Sequence, residues 1–190
     1  MTAAVQHDAE GQRALMAGDR DGARSAFATA SDLYRQSWVE APASAYGRLV
    51  GMLKSAVLAG DGVPEACFAR AELGDRDPAS ATASYAQALA ALILGSESDA
   101  DAALWAERMG AGNEAFVRTA GAIAALAAHD AEGYAAALDA IVRDFERRTD
   151  HLTGVAIADT ALVLSVLGAR RGMAAEIDSP VLPALDPPRS

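Results

Sequence analysis

The chain has 190 residues, a net charge of −10 and 52% hydrophobic residues, yet only 5% aromatics. A chain of this length buries a core without a disulfide or metal staple, and Cys67, the only cysteine, rules out an internal disulfide and a cysteine-built metal site. The acidic balance argues against nucleic acid and anionic membranes and favours a basic partner.

Alanine makes up much of the apolar content. It is the best helix former and buries little area, which suits closely packed helices. No stretch alternates with the period of a strand, so no sheet is expected. Residues 1–8 lack the basic and apolar regions of a secretory signal. The apolar runs 86–94 and 161–166 fall short of the roughly 20 residues that a membrane helix needs. The expected location is cytoplasmic.

Taken in chain order, the first helix is predicted over 3–17. It ends in Ala14-Leu15-Met16-Ala17-Gly18-Asp19. Gly18 can adopt the left-handed conformation that terminates a helix, and Asp19 can cap the next one, over 21–38. The third helix, 43–59, follows Pro42 and ends in Ala56-Val57-Leu58-Ala59-Gly60-Asp61. Pro64 then suits the first position of a helix over 64–73, in which Cys67 reads as a small core residue.

Pro78 precedes the helix 79–94, which ends in Ala91-Leu92-Ile93-Leu94-Gly95-Ser96. Ser98-Asp99-Ala100-Asp101 resembles a capping box for the helix 99–109. Gly110-Ala111-Gly112 reads as a helix stop and linker. The helix 113–128 ends in Ala125-Leu126-Ala127-Ala128-His129-Asp130, where His129 takes the glycine's place. Helices over 131–148 and 153–170 complete the series, with a degenerate fifth stop at Val166-Leu167-Gly168.

The four stops recur at spacings of about 34 to 42 residues, the period of a helical-hairpin array. The expected fold is therefore all-α: a right-handed array of about four antiparallel hairpins plus a C-terminal capping helix. It forms a single domain over 1–173, followed by a Pro-rich extended tail over 174–190. Pro180, Pro183, Pro187 and Pro188 prevent that tail from being helical throughout, and Val181 and Leu182 favour docking it.

The first hairpin resembles the tetratricopeptide repeat. Gly11, Gly18, Asp19, Ala23, Phe27 and Ala30 stand at that repeat's positions, whereas His7, Glu10, Ala14 and Arg35 depart from its usual Trp, Leu, Tyr and Pro. The resemblance implies that Gly11 and Ala23 let paired helices approach closely and that Phe27 fills the gap between them. It also implies a concave groove lined by Asp8, Gln12, Lys54, Tyr85, Leu89, Phe116, Thr119 and Ile123. That inner surface reads as mostly apolar, with Lys54 as its one lysine, so the lysine-rich clamp for acidic C-termini is missing. The last third, from His129 through Asp178-Ser179-Pro180, resembles bacterial immunity proteins of the immunity-49 type.

The residues offer little to chemistry. His7, His129 and His151 are scattered, outside metal-ligand spacing, and read as turn or surface residues. The serines and Cys67 lack a nucleophile context. Glu97, Asp99 and Asp101 read as a solvated helix start, since the register lacks the glycine and the distal glutamate of an EF-hand. Asp159 interrupts the apolar run 155–164 and needs a partner; Arg118, Arg147 and Arg148 are the candidates.

No catalytic residue, cofactor or metal is therefore expected. The expected function is a non-catalytic protein–protein interaction module, an adaptor or regulator binding a peptide or protein. The alternatives are an immunity protein neutralising a toxin, and a small-molecule-binding regulator or enzyme. The groove is covered by the tail, by a second copy in a homodimer or by a partner's segment; or else its residues are plain core.

Overall fold

A computed structural model describes residues 2–74 and 80–183, and these form an all-helical body with no strand among them. In chain order the helices are α1 (Thr2–Met16), α2 (Arg20–Val39), α3 (Gly47–Ala59), α4 (Val63–Leu73) and α5 (Ala81–Leu94). A 3₁₀ turn over Ser96–Ser98 leads to α6 (Asp99–Met109), α7 (Glu114–Ala127), α8 (Ala131–Glu146) and α9 (Asp159–Arg170). Pro78, Pro187 and Pro188 lie outside the described residues.

The first and fourth stops build the same turn. Gly18 has φ 77° and His129 φ 54°. Asp19 donates its N–H to the Ala14 carbonyl at 2.9 Å, and Asp130 donates to Ala125 at 2.9 Å. Each aspartate then caps the next helix by accepting from the backbone N–H of Gly22 or Gly133, both at 2.9 Å. A Cβ at either glycine would lie 2.2 Å from the capping carboxylate. The shared Asp-x-x-Gly spacing therefore has a steric cause.

The other stops differ from expectation. Gly60 is extended, at φ −172°, and the positive φ falls instead on Gly62, at 74°. Asp61 accepts from the Val63 N–H at 3.0 Å and starts α4, with Pro64 in its first turn. Gly95 has φ 101°. Gly168 is no stop: it lies inside α9, where a Cβ would come within 2.7 Å of the Tyr134 hydroxyl.

Two helix starts move. Residues 40–46 turn after Pro42, with Ala45 donating to the Pro42 carbonyl at 2.9 Å, so α3 begins at Gly47. Gly154, at φ 70°, interrupts the helix predicted from 153, and α9 begins at Asp159. The Ser98 side chain makes no cap bond; Asp99 and Asp101 are drawn instead to Arg171 and Arg70. Cys67 is exposed, correcting its reading as a core residue.

Neighbouring helices pack in sequence from α1 to α3 and from α4 to α8, and α5 also touches both α3 and α7. This agrees with a helical-repeat arrangement. Small residues set the spacing. A Cβ on Gly11 would lie 2.9 Å from the Phe27 ring, and one on Gly51 2.7 Å from that of Tyr34. Ala23, Phe27 and Ala30 are all buried. The apolar centre lies on α5, where Ala83 and 85–93 are buried throughout.

The chain then doubles back. α9 packs against α3, α7 and α8. The segment after it docks: Ala158 donates to the Val181 carbonyl at 2.7 Å, and the Ser179 hydroxyl to Glu146 at 2.7 Å. Residues 174–183 are thus non-helical and laid against the body.

Candidate functional site

The face shared by α1, α3, α5 and α7 carries a chain of polar side chains. Asp8, on α1, accepts from the Tyr34 hydroxyl at 2.8 Å and from the Ser55 hydroxyl at 2.6 Å. On α3, one turn from Gly51, Lys54 forms an ion pair with Asp159 at the start of α9. Its ammonium also donates to the Thr160 hydroxyl at 3.3 Å. Gln12, 3% exposed, accepts from the Thr153 hydroxyl in the segment that leads into α9.

Two cavities flank this chain. One, of about 120 Å³, is lined by Asp8, Gln12, Lys54, Ser55, Thr153 and Asp159 among others, with exposed Leu152 at its margin. The other, of about 160 Å³, is lined by Tyr85, Phe116, Thr119 and Thr160, with Arg118, Asp144 and Arg148. Asp159 and Thr160, adjacent in sequence, face the first and the second cavity respectively.

Six of the expected groove residues therefore come together: Asp8, Gln12 and Lys54 around one cavity, Tyr85, Phe116 and Thr119 around the other. Leu89 and Ile123 do not. Both are fully buried core on α5 and α7, facing neighbouring helices. The expected mostly apolar lining is also corrected, since Asp8, Lys54, Ser55 and Asp159 give the face a polar seam. Lys54, and none of the three candidate arginines, partners Asp159; Arg118, Arg147 and Arg148 all turn to Asp144.

Burial raises the pKa of Asp8, against the hydrogen bonds from Ser55 and Tyr34. Burial and the Asp8 charge push the Tyr34 hydroxyl up. For Lys54, burial is the largest influence and would lower the pKa, but Asp159, Tyr85 and Asp8 together outweigh it and the net shift is upward. The amine is held as ammonium, which is the wrong form for a nucleophile or base. Burial likewise raises Tyr85. Among the described residues no group of three or more His, Cys, Asp or Glu is placed to hold a metal ion.

Three arrangements escaped the sequence. Arg171, 7% exposed at its side chain, donates to Asp99 at 3.0 Å and to the Leu92 carbonyl at 2.8 Å. His129 reaches the other oxygen of Asp99 at 3.1 Å, so Asp99 is a buried anchor and not a solvated helix start. Arg170 donates to the Asp61 carbonyl at 2.8 Å. The adjacent arginines at the end of α9 were the available signal, because a basic last turn beside the negative end of a helix invites carbonyl or carboxylate partners.

No helix among the described residues is long and apolar enough to cross a membrane. No known protein family, no characterised protein and no solved structure matches the chain.

Proposed function

We propose that this chain is a non-catalytic protein–protein interaction module, a helical-repeat adaptor or regulator with a protein or peptide partner. One observation carries the reading. Side chains from α1, α3, α5 and α7 converge on a single face and its two cavities. A recognition surface assembled from successive units is what stacked helical hairpins offer. The tetratricopeptide likeness fits this reading through Gly11, which approaches Phe27 as that repeat requires. Lys54, locked as an ammonium against Asp159, suits a structural tie better than a catalytic base.

Leu152 supplies the apolar contact expected at the centre of such a surface: it is 81% exposed at the mouth of the smaller cavity. The test is affinity capture from the native cell with the full chain and with Leu152→Asp, both checked for folding by circular dichroism. Retention of one defined protein by the wild type and its loss by the variant supports the reading. Catalytic turnover of any captured molecule, or identical retention by both chains, overturns it.

The charge favours one second reading. At −10, the chain suits a basic target such as a nuclease toxin, and an immunity protein would bind one and block it. Co-expression with the product of a neighbouring toxin gene tests this: rescued growth supports neutralisation, and unrelieved killing refutes it.

A further inference from the structure

We propose that the larger cavity binds a small organic carboxylate carrying an aromatic or branched apolar group. This goes beyond the protein-interaction reading and stands independently of it. The charge comes first. Asp144, on α8, is approached by Arg148 at 2.6 Å, Arg118 at 2.9 Å and Arg147 at 3.6 Å. Two of these guanidinium groups, those of Arg118 and Arg148, line the cavity beside the single carboxylate of Asp144, whereas Arg147 is 68% exposed and outside the lining, so the cavity wall carries one positive charge in excess. Glu114, the other acid near Arg118, stands 3.5 Å away and is 93% exposed, so water screens it. Each guanidinium has five N–H donors, more than Asp144 consumes, and their planar fork matches a second carboxylate.

The walls supply the rest. Phe116, Ile141 and Phe145 present apolar surface to the same cavity, and Arg148 stacks on Phe145 with its guanidinium 4.1 Å from the ring centre. The volume, about 160 Å³, is that of a site holding a benzene-sized group. Tyr85 contributes its ring to the lining, in an edge contact with Phe116. Its hydroxyl is buried and makes no hydrogen bond of normal geometry, with the Thr160 hydroxyl and the Lys54 ammonium as its polar neighbours. A buried donor left unmatched is costly, and an incoming acceptor relieves that cost. A cation is disfavoured by the arginines, and a bare inorganic anion leaves the apolar walls unused.

The experiment titrates the full chain with benzoate, benzamide, benzamidine and inorganic phosphate, followed by calorimetry and by amide chemical shifts. Benzoate is expected to bind at least about tenfold more tightly than its neutral and cationic analogues, with shifts centred on Phe116 and Thr119. Arg118→Gln should weaken benzoate by at least about tenfold, and Tyr85→Phe by a smaller factor. Arg118→Lys, which keeps the charge and loses the fork, replaces Arg118→Gln if that variant does not fold. Three results overturn the proposal: benzoate binding no tighter than benzamide, equal benzoate affinity in wild type and Arg118 variants, or phosphate binding as tightly as benzoate. None of these bears on whether a partner protein is captured, so the two readings fail separately.

Discussion

Lys54 and Asp159 stand 105 residues apart in sequence and form the ion pair that fastens α9 to α3. Their side chains are 16% and 30% exposed. Removing the carboxylate leaves a largely buried ammonium without its counter-ion. Asp159→Ala should therefore lower the melting temperature, at a cost of about 1–3 kcal/mol, below that of a fully buried pair because water reaches Asp159. The Lys54 pKa lies above its ordinary 10.5. The stabilisation is thus complete below that value and lost as pH rises through the folded value. Urea unfolding of both chains between neutral and alkaline pH checks the cost and the sign.

Phe27 tests the helix contact itself. It is 1% exposed and fills the space above Gly11. Phe27→Ala should cost about 3–5 kcal/mol. Gly11→Ala brings a methyl to within 2.9 Å of the ring and should cost about 1–3 kcal/mol. In the double variant Gly11→Ala/Phe27→Ala the two costs should not add, since the smaller side chain clears the clash. Chemical denaturation of the four chains measures the coupling.

Asp8 and Asp144 should respond to acid with opposite signs. Burial raises the Asp8 pKa above 3.8, so the folded chain takes up this proton first. Asp8 therefore contributes stability below 3.8 that is lost as pH rises through its folded value. For Asp144, burial opposes the shift but Arg148 and Arg118 carry it below 3.8. Its contribution is present above 3.8 and lost as pH falls through its folded value. Comparing Asp8→Asn and Asp144→Asn with the wild type from pH 3 to 7 separates the two slopes; parallel curves would refute the assignment.

Arg171 anchors the far end of α9. It is nearly buried and holds both Asp99 and the Leu92 carbonyl. Arg171→Ala strands Asp99 with only His129 and should cost about 3–5 kcal/mol. Thermal melts should show a smaller loss for Arg170→Ala, whose guanidinium meets backbone carbonyls at the surface.

His129 carries a positive φ of 54°. Replacing it with Val, which resists this conformation, should cost about 1–2 kcal/mol. His129→Gly should stay closer to wild type, because it relieves the backbone while losing the contact with Asp99. Since both variants lose the imidazole, a Gly variant no more stable than the Val variant would refute a cost set by the turn.

The helices were legible because their punctuation is local. Gly18, His129, Asp19 and Asp130 act on the next few residues, and the sequence carries that information directly. The errors arose where one glycine could be exchanged for a neighbour, as at Gly60 and Gly62, or where Gly154 broke an apolar run that looked helical. The register brought Asp8, Gln12 and Lys54 to one cavity and Tyr85, Phe116 and Thr119 to the other. Leu89 and Ile123 were misplaced because the same register cannot say how deeply a helix is sandwiched. The partner of Asp159 was sought nearby, among Arg118, Arg147 and Arg148. Lys54 became its partner only through the folding back of α9, a tertiary event with no local signature.

That folding back changes what kind of object the chain is. In an open stack each unit leans only on its neighbours, and the ends melt first. Here α9 touches α3, α7 and α8 together, so an early helix and the late ones share a single clasp. Loosening either end must break contacts made by the other. The body should consequently unfold as one cooperative piece, and cutting away 159–170 should leave a stack that melts in stages.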